Sequence, residues 1–131
     1  MAAGTSPIFP NVPIVGIGDT VATLTSRAKI TGTTGLTQVT ATSTNGLRID
    51  AITVTCAATS AAASILLFIF DATTSFLFDE IVVSAVTASN TVPAFSATKY
   101  YQSLVLPPTY QIFAATTIAQ NTDVFAFGGA Y

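Results

Sequence analysis

The sequence predicts an all-β fold: an antiparallel β-sandwich of jelly-roll-like form, with about eight strands and an extended N-terminal arm. Three observations carry this expectation. From Asp19 onward the chain is built from Thr, Val, Ile, Ala and Phe, the residues that fit a pleated, half-buried surface. Gly, Asn, Asp and Pro interrupt these runs at short intervals, and helix start and stop signals are nearly absent. Apolar residues make up 50% of the 131 positions and charged residues only 8%, the reverse of the balance that keeps a chain disordered.

Residues 1–18 read as an arm and residues 19–131 as the sandwich domain. In the arm Pro7, Pro10 and Pro13 recur at spacing three among Ile8, Phe9, Val12, Ile14, Val15 and Ile17. Proline fixes φ and pushes the preceding residue into extended conformations, so the segment is extended and not helical. Its apolar side chains need cover, either from a neighbouring subunit or from its own domain as an edge strand. Expected strands then follow at Val21–Thr25, Gln38–Ser43, Leu47–Ala57, Ser64–Phe70, Phe76–Ser84, Ser96–Leu106, Tyr110–Thr117 and Val124–Gly128. Between them lie Thr44-Asn45-Gly46, Asp71 to Ser75, Pro107-Pro108 and Gln120 to Asp123, each with recognisable turn chemistry. The Ala-rich stretch 57–64 is the one place where a helical turn competes.

Alternation assigns the faces. Ile52, Val54 and Cys56 share one side of their strand, while Leu47 and Ile49 lie in the other phase; a bulge near Asp50 and Ala51 brings both sets to the core. The strand 64–70 is apolar on both faces, through Ile65, Leu67 and Ile69 on one and Leu66, Phe68 and Phe70 on the other. A sandwich of this size has one core, so the second face is expected to meet another chain or an overlying arm. With the scarcity of charge, this predicts a homo-oligomer. The expected interface residues are Ile8, Phe9, Val12, Ile14 and Val15 in the arm, with Phe68, Phe70, Phe76 and Phe78 as core or inter-subunit packing.

The composition excludes several chemistries. Four cations against six anions, net charge −2, cannot neutralise a run of phosphates, so no nucleic-acid partner is expected. The absence of histidine removes a His-dependent triad and a zinc–histidine site. The single cysteine, Cys56, forms no intrachain disulfide, fits a reducing compartment and shares its phase with core residues. The longest apolar stretch, Ala61 to Phe70, is about half of the roughly 20 residues a spanning helix needs, and the N-terminus lacks a basic region, so neither a membrane partner nor a signal peptide is expected.

Candidate chemical groups are few. Arg48 and Asp50, two apart on one strand, read as a structural ion pair. Asp79 and Glu80 are adjacent on a strand and face opposite ways, which unsuits them to act on one substrate. Asp71 and Asp123 sit in turns without the further oxygen ligands that calcium needs. Gly16-Ile17-Gly18 does not complete a dinucleotide fingerprint. Phe9, Phe113, Phe125, Phe127, Tyr100, Tyr101, Tyr110 and Tyr131 read as core and interface residues ahead of a sugar-binding platform. No catalytic residue, metal site or cofactor is expected.

Several segments together carry a resemblance: Pro7-Ile-Phe-Pro-Asn-Val-Pro13, Asn45-Gly-Leu-Arg-Ile-Asp-Ala-Ile52, Leu67-Phe-Ile-Phe-Asp71 with Phe78-Asp-Glu-Ile81, Leu106-Pro-Pro-Thr-Tyr110, and the final Val124-Phe-Ala-Phe-Gly-Gly-Ala-Tyr131. Across nearly its whole length the chain resembles small virion proteins of tailed phages and prophages, among which related β-proteins serve as capsid decoration, or cement, proteins. One departure is Thr109, where the pattern leads one to expect glycine before the tyrosine. The resemblance implies a non-enzymatic virion component, made in the bacterial host cytoplasm and placed on the capsid surface as a homotrimer against the major capsid protein. The alternative it leaves open is a tail, fibre or host-surface glycan-binding module.

Overall fold

The computed structural model of the chain describes residues 10–131, which form nine strands and no helix. They are β1 (Val12–Gly18), β2 (Ile30–Thr31), β3 (Thr37–Gln38), β4 (Leu47–Cys56), β5 (Ala63–Phe70), β6 (Thr74–Val83), β7 (Ser96–Leu106), β8 (Gln111–Thr116) and β9 (Thr122–Ala130). A four-stranded sheet runs β1-β9-β4-β7 and a five-stranded sheet runs β2-β6-β5-β8-β3, with antiparallel pairing throughout the named strands. The chain passes between the two sheets in the order of a jelly roll, β1, β9, β4 and β7 facing β3, β8, β5 and β6, with β2 added at one edge. The expected β-sandwich is the observed fold.

Side-chain alternation builds the core between the sheets. Leu47, Ile49, Ile52 and Val54 from β4 and Val124 and Ala126 from β9 meet Ile65, Leu67, Ile81, Val83, Ile112 and Ala114 from the opposite sheet. The phase change within β4 is accommodated by a bulge between Ile49 and Ala51, in register with both neighbouring strands, where the sequence places it. Opposite the bulge sits Gly128; a Cβ there would run into the Arg48 carbonyl, so only glycine lets the two backbones approach.

The turns follow their side chains. Asp71 Oδ1 accepts the Thr73 and Thr74 N–H groups at 3.0 and 2.7 Å and tightens the β5–β6 hairpin around Ala72, which has φ +77°. Between β7 and β8, Tyr110 N–H donates to Pro107 O at 3.2 Å, with Pro108 and Thr109 at the centre of the turn. Thr109 has φ +71°, the left-handed conformation that glycine adopts freely.

Three expectations need correction. Residues Val21–Thr25 make a single parallel bridge, Thr23 to Thr116, and no strand. The strand expected at Gln38–Ser43 shrinks to Thr37–Gln38. The Val39 and Thr40 N–H groups both converge on Ile112 O, which ends the ladder as the chain crosses between sheets. The third concerns the second face of β5. Leu66, Phe68 and Phe113 form a satellite core on the outer side of the five-stranded sheet, covered by Leu24, Ile30 and Leu36 of the same chain. The overlying segment 22–38 is held by β2 and β3, by Leu24 N–H to Thr116 O, by Gly32 N–H to Thr73 O and by an Arg27–Glu80 pair. The two-sided apolarity of β5 is satisfied within one chain and is no argument for an oligomer.

The arm is extended over its described part, and there it lies on its own domain: Val12–Gly18 pair with β9 from Ala130 back to Val124. Ile8 and Phe9 lie outside the described residues.

Candidate interaction face

Because β4 and β9 turn their core residues inward, their alternate residues form the outer face of the four-stranded sheet. The register aligns these into rows across all four strands. One row is Val15, Phe127, Ala51 and Tyr100; the next is Ile17, Phe125, Thr53 and Thr98. Val15 is 59% exposed, Ile17 57%, Phe127 40% and Tyr100 80%, so the large apolar side chains of this face stand in solvent. Phe125 and Phe127 stack with ring centroids 6.5 Å apart, and the Thr53 and Thr98 hydroxyls share a 2.7 Å hydrogen bond. Ala51, small and flanked by Phe127 and Tyr100, is buried between them.

No charge falls in these two rows. The charges lie in the rows on either side: Arg48 with Gly129, Pro13 and Val105 at one end, Asp123 with Thr55 and Ser96 at the other. Arg48 Nη2 donates to Asp50 Oδ2 at 3.4 Å, and Arg48 Nε stands 3.0 Å from Oδ1 as an ion-pair contact without hydrogen-bond alignment. The ion pair expected from the sequence is therefore present, across the bulge. Asp123 Oδ1 accepts the Thr20 N–H at 2.7 Å.

The adjacent carboxylates Asp79 and Glu80 have structural partners. Asp79 of β6 accepts Lys99 Nζ at 2.7 Å and the Tyr101 hydroxyl at 2.8 Å, both from β7, and so ties one sheet to the other. Partial burial raises the Asp79 carboxyl, but the hydrogen bonds from Lys99, Tyr101 and the Glu80 N–H outweigh it and hold the group below the ordinary aspartate range. Burial and the bond to Asp79 push the Tyr101 phenol upward. Glu80 points the other way, to a two-point pair with Arg27 at 2.8 and 3.0 Å, which lowers its pKa. Adjacent carboxylates thus serve separate cations on separate faces.

A cleft of about 320 Å³ opens between β1 and residues 40–43, lined by Ile14, Val15, Gly16, Leu47, Ala130 and the Thr40–Ser43 segment. Its lining has hydroxyl and apolar groups and no ionisable side chain. Cys56 is buried, 3.7 Å from the Thr122 hydroxyl. Among the described residues no three acidic or thiol side chains gather where they could hold a metal.

The interface residues named from the sequence do not form one surface. Val12 and Val15 are exposed on β1, whereas Ile14 turns inward against the core. On the opposite sheet Phe68 is fully buried, Phe70 packs edge-on against Phe113 at 5.5 Å, Phe78 lies against Tyr101 and the main core, and Phe76 is exposed. The rows on the outer face were legible in part. Phe125 and Phe127 alternate with Val124 and Ala126, so β9 is apolar on both sides, with small residues inward and large ones outward. That size asymmetry is the signal that separates this strand from β5.

Comparison of the chain with known protein families, curated proteins and solved structures finds no match in any of the three.

Proposed function

We propose that the protein is a non-enzymatic structural component of a phage or prophage particle, a capsid decoration protein that binds the major capsid protein on the outside of the head. The observation that carries this reading is the outer face of the four-stranded sheet: contiguous, charge-free across its two central rows, and presenting Val15, Ile17, Phe127 and Tyr100 to solvent. A patch of that kind marks a surface built to be covered. The segments that resemble small virion proteins and the jelly-roll order, an architecture shared by viral capsid and lectin domains, support the same reading by analogy. Decoration needs no catalysis, only many copies whose modest contacts add through symmetry.

The test is the protein content of particles purified from the organism that encodes the chain. The protein is expected in the head fraction at a fixed ratio to the major capsid protein, and to be lost from it when Phe127→Lys is introduced. Its absence from particles overturns the reading. The arm is tested by removing residues 1–9, since a larger deletion takes away β1 and uncovers β9.

The aromatic pair Phe125–Phe127 with Tyr100 favours a second reading, a host-surface glycan-binding module of a tail or fibre. Glycan-array binding by the purified protein, together with its recovery in tails, would establish that role in place of decoration.

A further inference from the structure

The rows of the outer face are ordered about a midpoint. Four rows cross the sheet in order: Pro13, Gly129, Arg48, Val105; then Val15, Phe127, Ala51, Tyr100; then Ile17, Phe125, Thr53, Thr98; then Asp123, Thr55, Ser96. Arg48 and the position of Asp123 are separated along the strands by about 20 Å, and the midpoint falls between the two apolar rows. We infer that the face stacks on the same face of a second copy of this chain, about a two-fold axis that runs parallel to the rows through that midpoint. This deepens the proposed assembly role and rests on that reading: the face joins two copies, the pair meets the head through its other surfaces, and the loss of Phe127→Lys from heads then follows from the loss of pairing.

Several features converge on this occupant. A two-fold interface uses one patch on both partners, so the patch must be complementary to itself. Rotation about this axis lays each apolar row on the other row of the second copy: Phe127 over Phe125, Val15 over Ile17, Tyr100 over Thr98 and Ala51 over Thr53. The apolar residues of β1 and β9 thereby meet apolar residues, and Tyr100 meets the smaller Thr98. The same rotation sets each Asp123 over the end of the sheet that carries the Arg48–Asp50 ion pair and holds the two Asp123 carboxylates at opposite ends of the contact, about 20 Å apart along the strands. Stacking with strands running the same way would instead bring Asp123 of the two copies to one end, where like charges repel.

The dimensions also suit it. Four strands about 4.8 Å apart and about eight residues long at 3.3 Å each present a footprint of about 500 Å². Two copies therefore cover about 1,000 Å², the lower bound for a specific contact. Sheets stack about 10 Å apart and within about 30° of alignment, so the two copies can face each other with their rows in contact near the axis. The result is a reversible dimer whose population depends on concentration.

Sedimentation equilibrium and light scattering on the full chain test the inference. The unaltered protein is expected to pass from monomer to dimer as concentration rises. Phe127→Lys and Tyr100→Lys are each expected to weaken association at least tenfold, with unchanged far-ultraviolet circular dichroism because both side chains point outward. The register has its own test. Chains carrying Tyr100→Lys and chains carrying Thr98→Glu, each weakened alone, are expected to associate when mixed, because residue 100 of one copy lies over residue 98 of the other. A monomer at every concentration, an oligomer indifferent to both lysine substitutions, or a mixture that stays apart overturns the two-fold stack. A trimer insensitive to the substitutions overturns it as well, yet leaves the particle role standing if the protein is still found on heads.

Discussion

Thr109 holds φ +71° in the turn that joins β7 to β8, and a β-branched residue there is strained by about 1–2 kcal/mol. Thr109→Gly relieves the strain and gives back part of the gain in unfolded-chain entropy, so the variant is expected to be more stable by about 1 kcal/mol in urea unfolding. An unchanged midpoint would show that the turn is relaxed around the threonine. The sequence pattern already led to glycine at this position, and the backbone explains why: the Pro107-Pro108 pair sets up a turn whose third residue needs positive φ. Asp79 gives the second residue-scale prediction. Its pKa is depressed on folding, so its contribution is present above the ordinary aspartate value of about 3.9 and is lost as pH falls through the lower folded value. Asp79→Asn is expected to cost about 1 kcal/mol at neutral pH, a modest figure because Lys99 is half exposed, and the gap to the unaltered protein should close as the pH falls below about 4. A gap that persists at low pH would place the loss in packing and not in the charge. What the sequence could not supply was the partner: it showed Asp79 and Glu80 facing apart, but not that Lys99 and Tyr101 lie across the sandwich rim.

At the scale of elements, the long strands were legible and the short ones were not. β4 to β9 carry enough alternation and strong enough turns to fix their existence, and the phase shift at Asp50 exposed the bulge in advance. β2 and β3 have two residues each, too few to show a period, and they exist because segment 22–38 is drawn across the sheet by burial of Leu24, Ile30 and Leu36. Threonine-rich and interrupted by Gly32 and Gly35, both at positive φ, that segment has the composition of a loop, and nothing in it announces a cover. The consequence for β5 is direct. Phe68 is completely buried under this cover, so Phe68→Ala is expected to destabilise the chain by about 3–5 kcal/mol at any protein concentration. Were Phe68 an inter-subunit residue, the same substitution would change association and leave the isolated chain nearly as stable, which equilibrium unfolding at two dilutions distinguishes. Arg27→Ala, by contrast, removes a solvent-exposed pair and is expected to leave the urea midpoint nearly unchanged, because the apolar contacts and the strand ends hold the cover in place.

For the whole molecule the question is how so apolar a chain spends its few charges. Three of its four cations are paired with a carboxylate, Arg27 with Glu80, Arg48 with Asp50 and Lys99 with Asp79, and none stands within the two apolar rows of the outer face. Composition leads one to expect a covered surface; the register shows only which exposed apolar residues share a face, on β1, β9, β4 and β7, because the faces of a strand can be told apart in sequence but the neighbours across a sheet cannot. On the proposed stack, association and folding are linked, since only folded chains present the face. A tenfold rise in chain concentration is then expected to raise the apparent melting temperature by about 2 °C, and Phe127→Lys to abolish that dependence while leaving the low-concentration value in place. Salt separates the contributions further. Sodium chloride screens the Arg48–Asp123 approach, which lies at the rim, and is expected to change association little, whereas sulfate strengthens apolar burial and should shift the equilibrium toward the dimer. Dissociation driven by moderate sodium chloride would mean that the rim charges, and not the phenylalanine rows, hold the copies together.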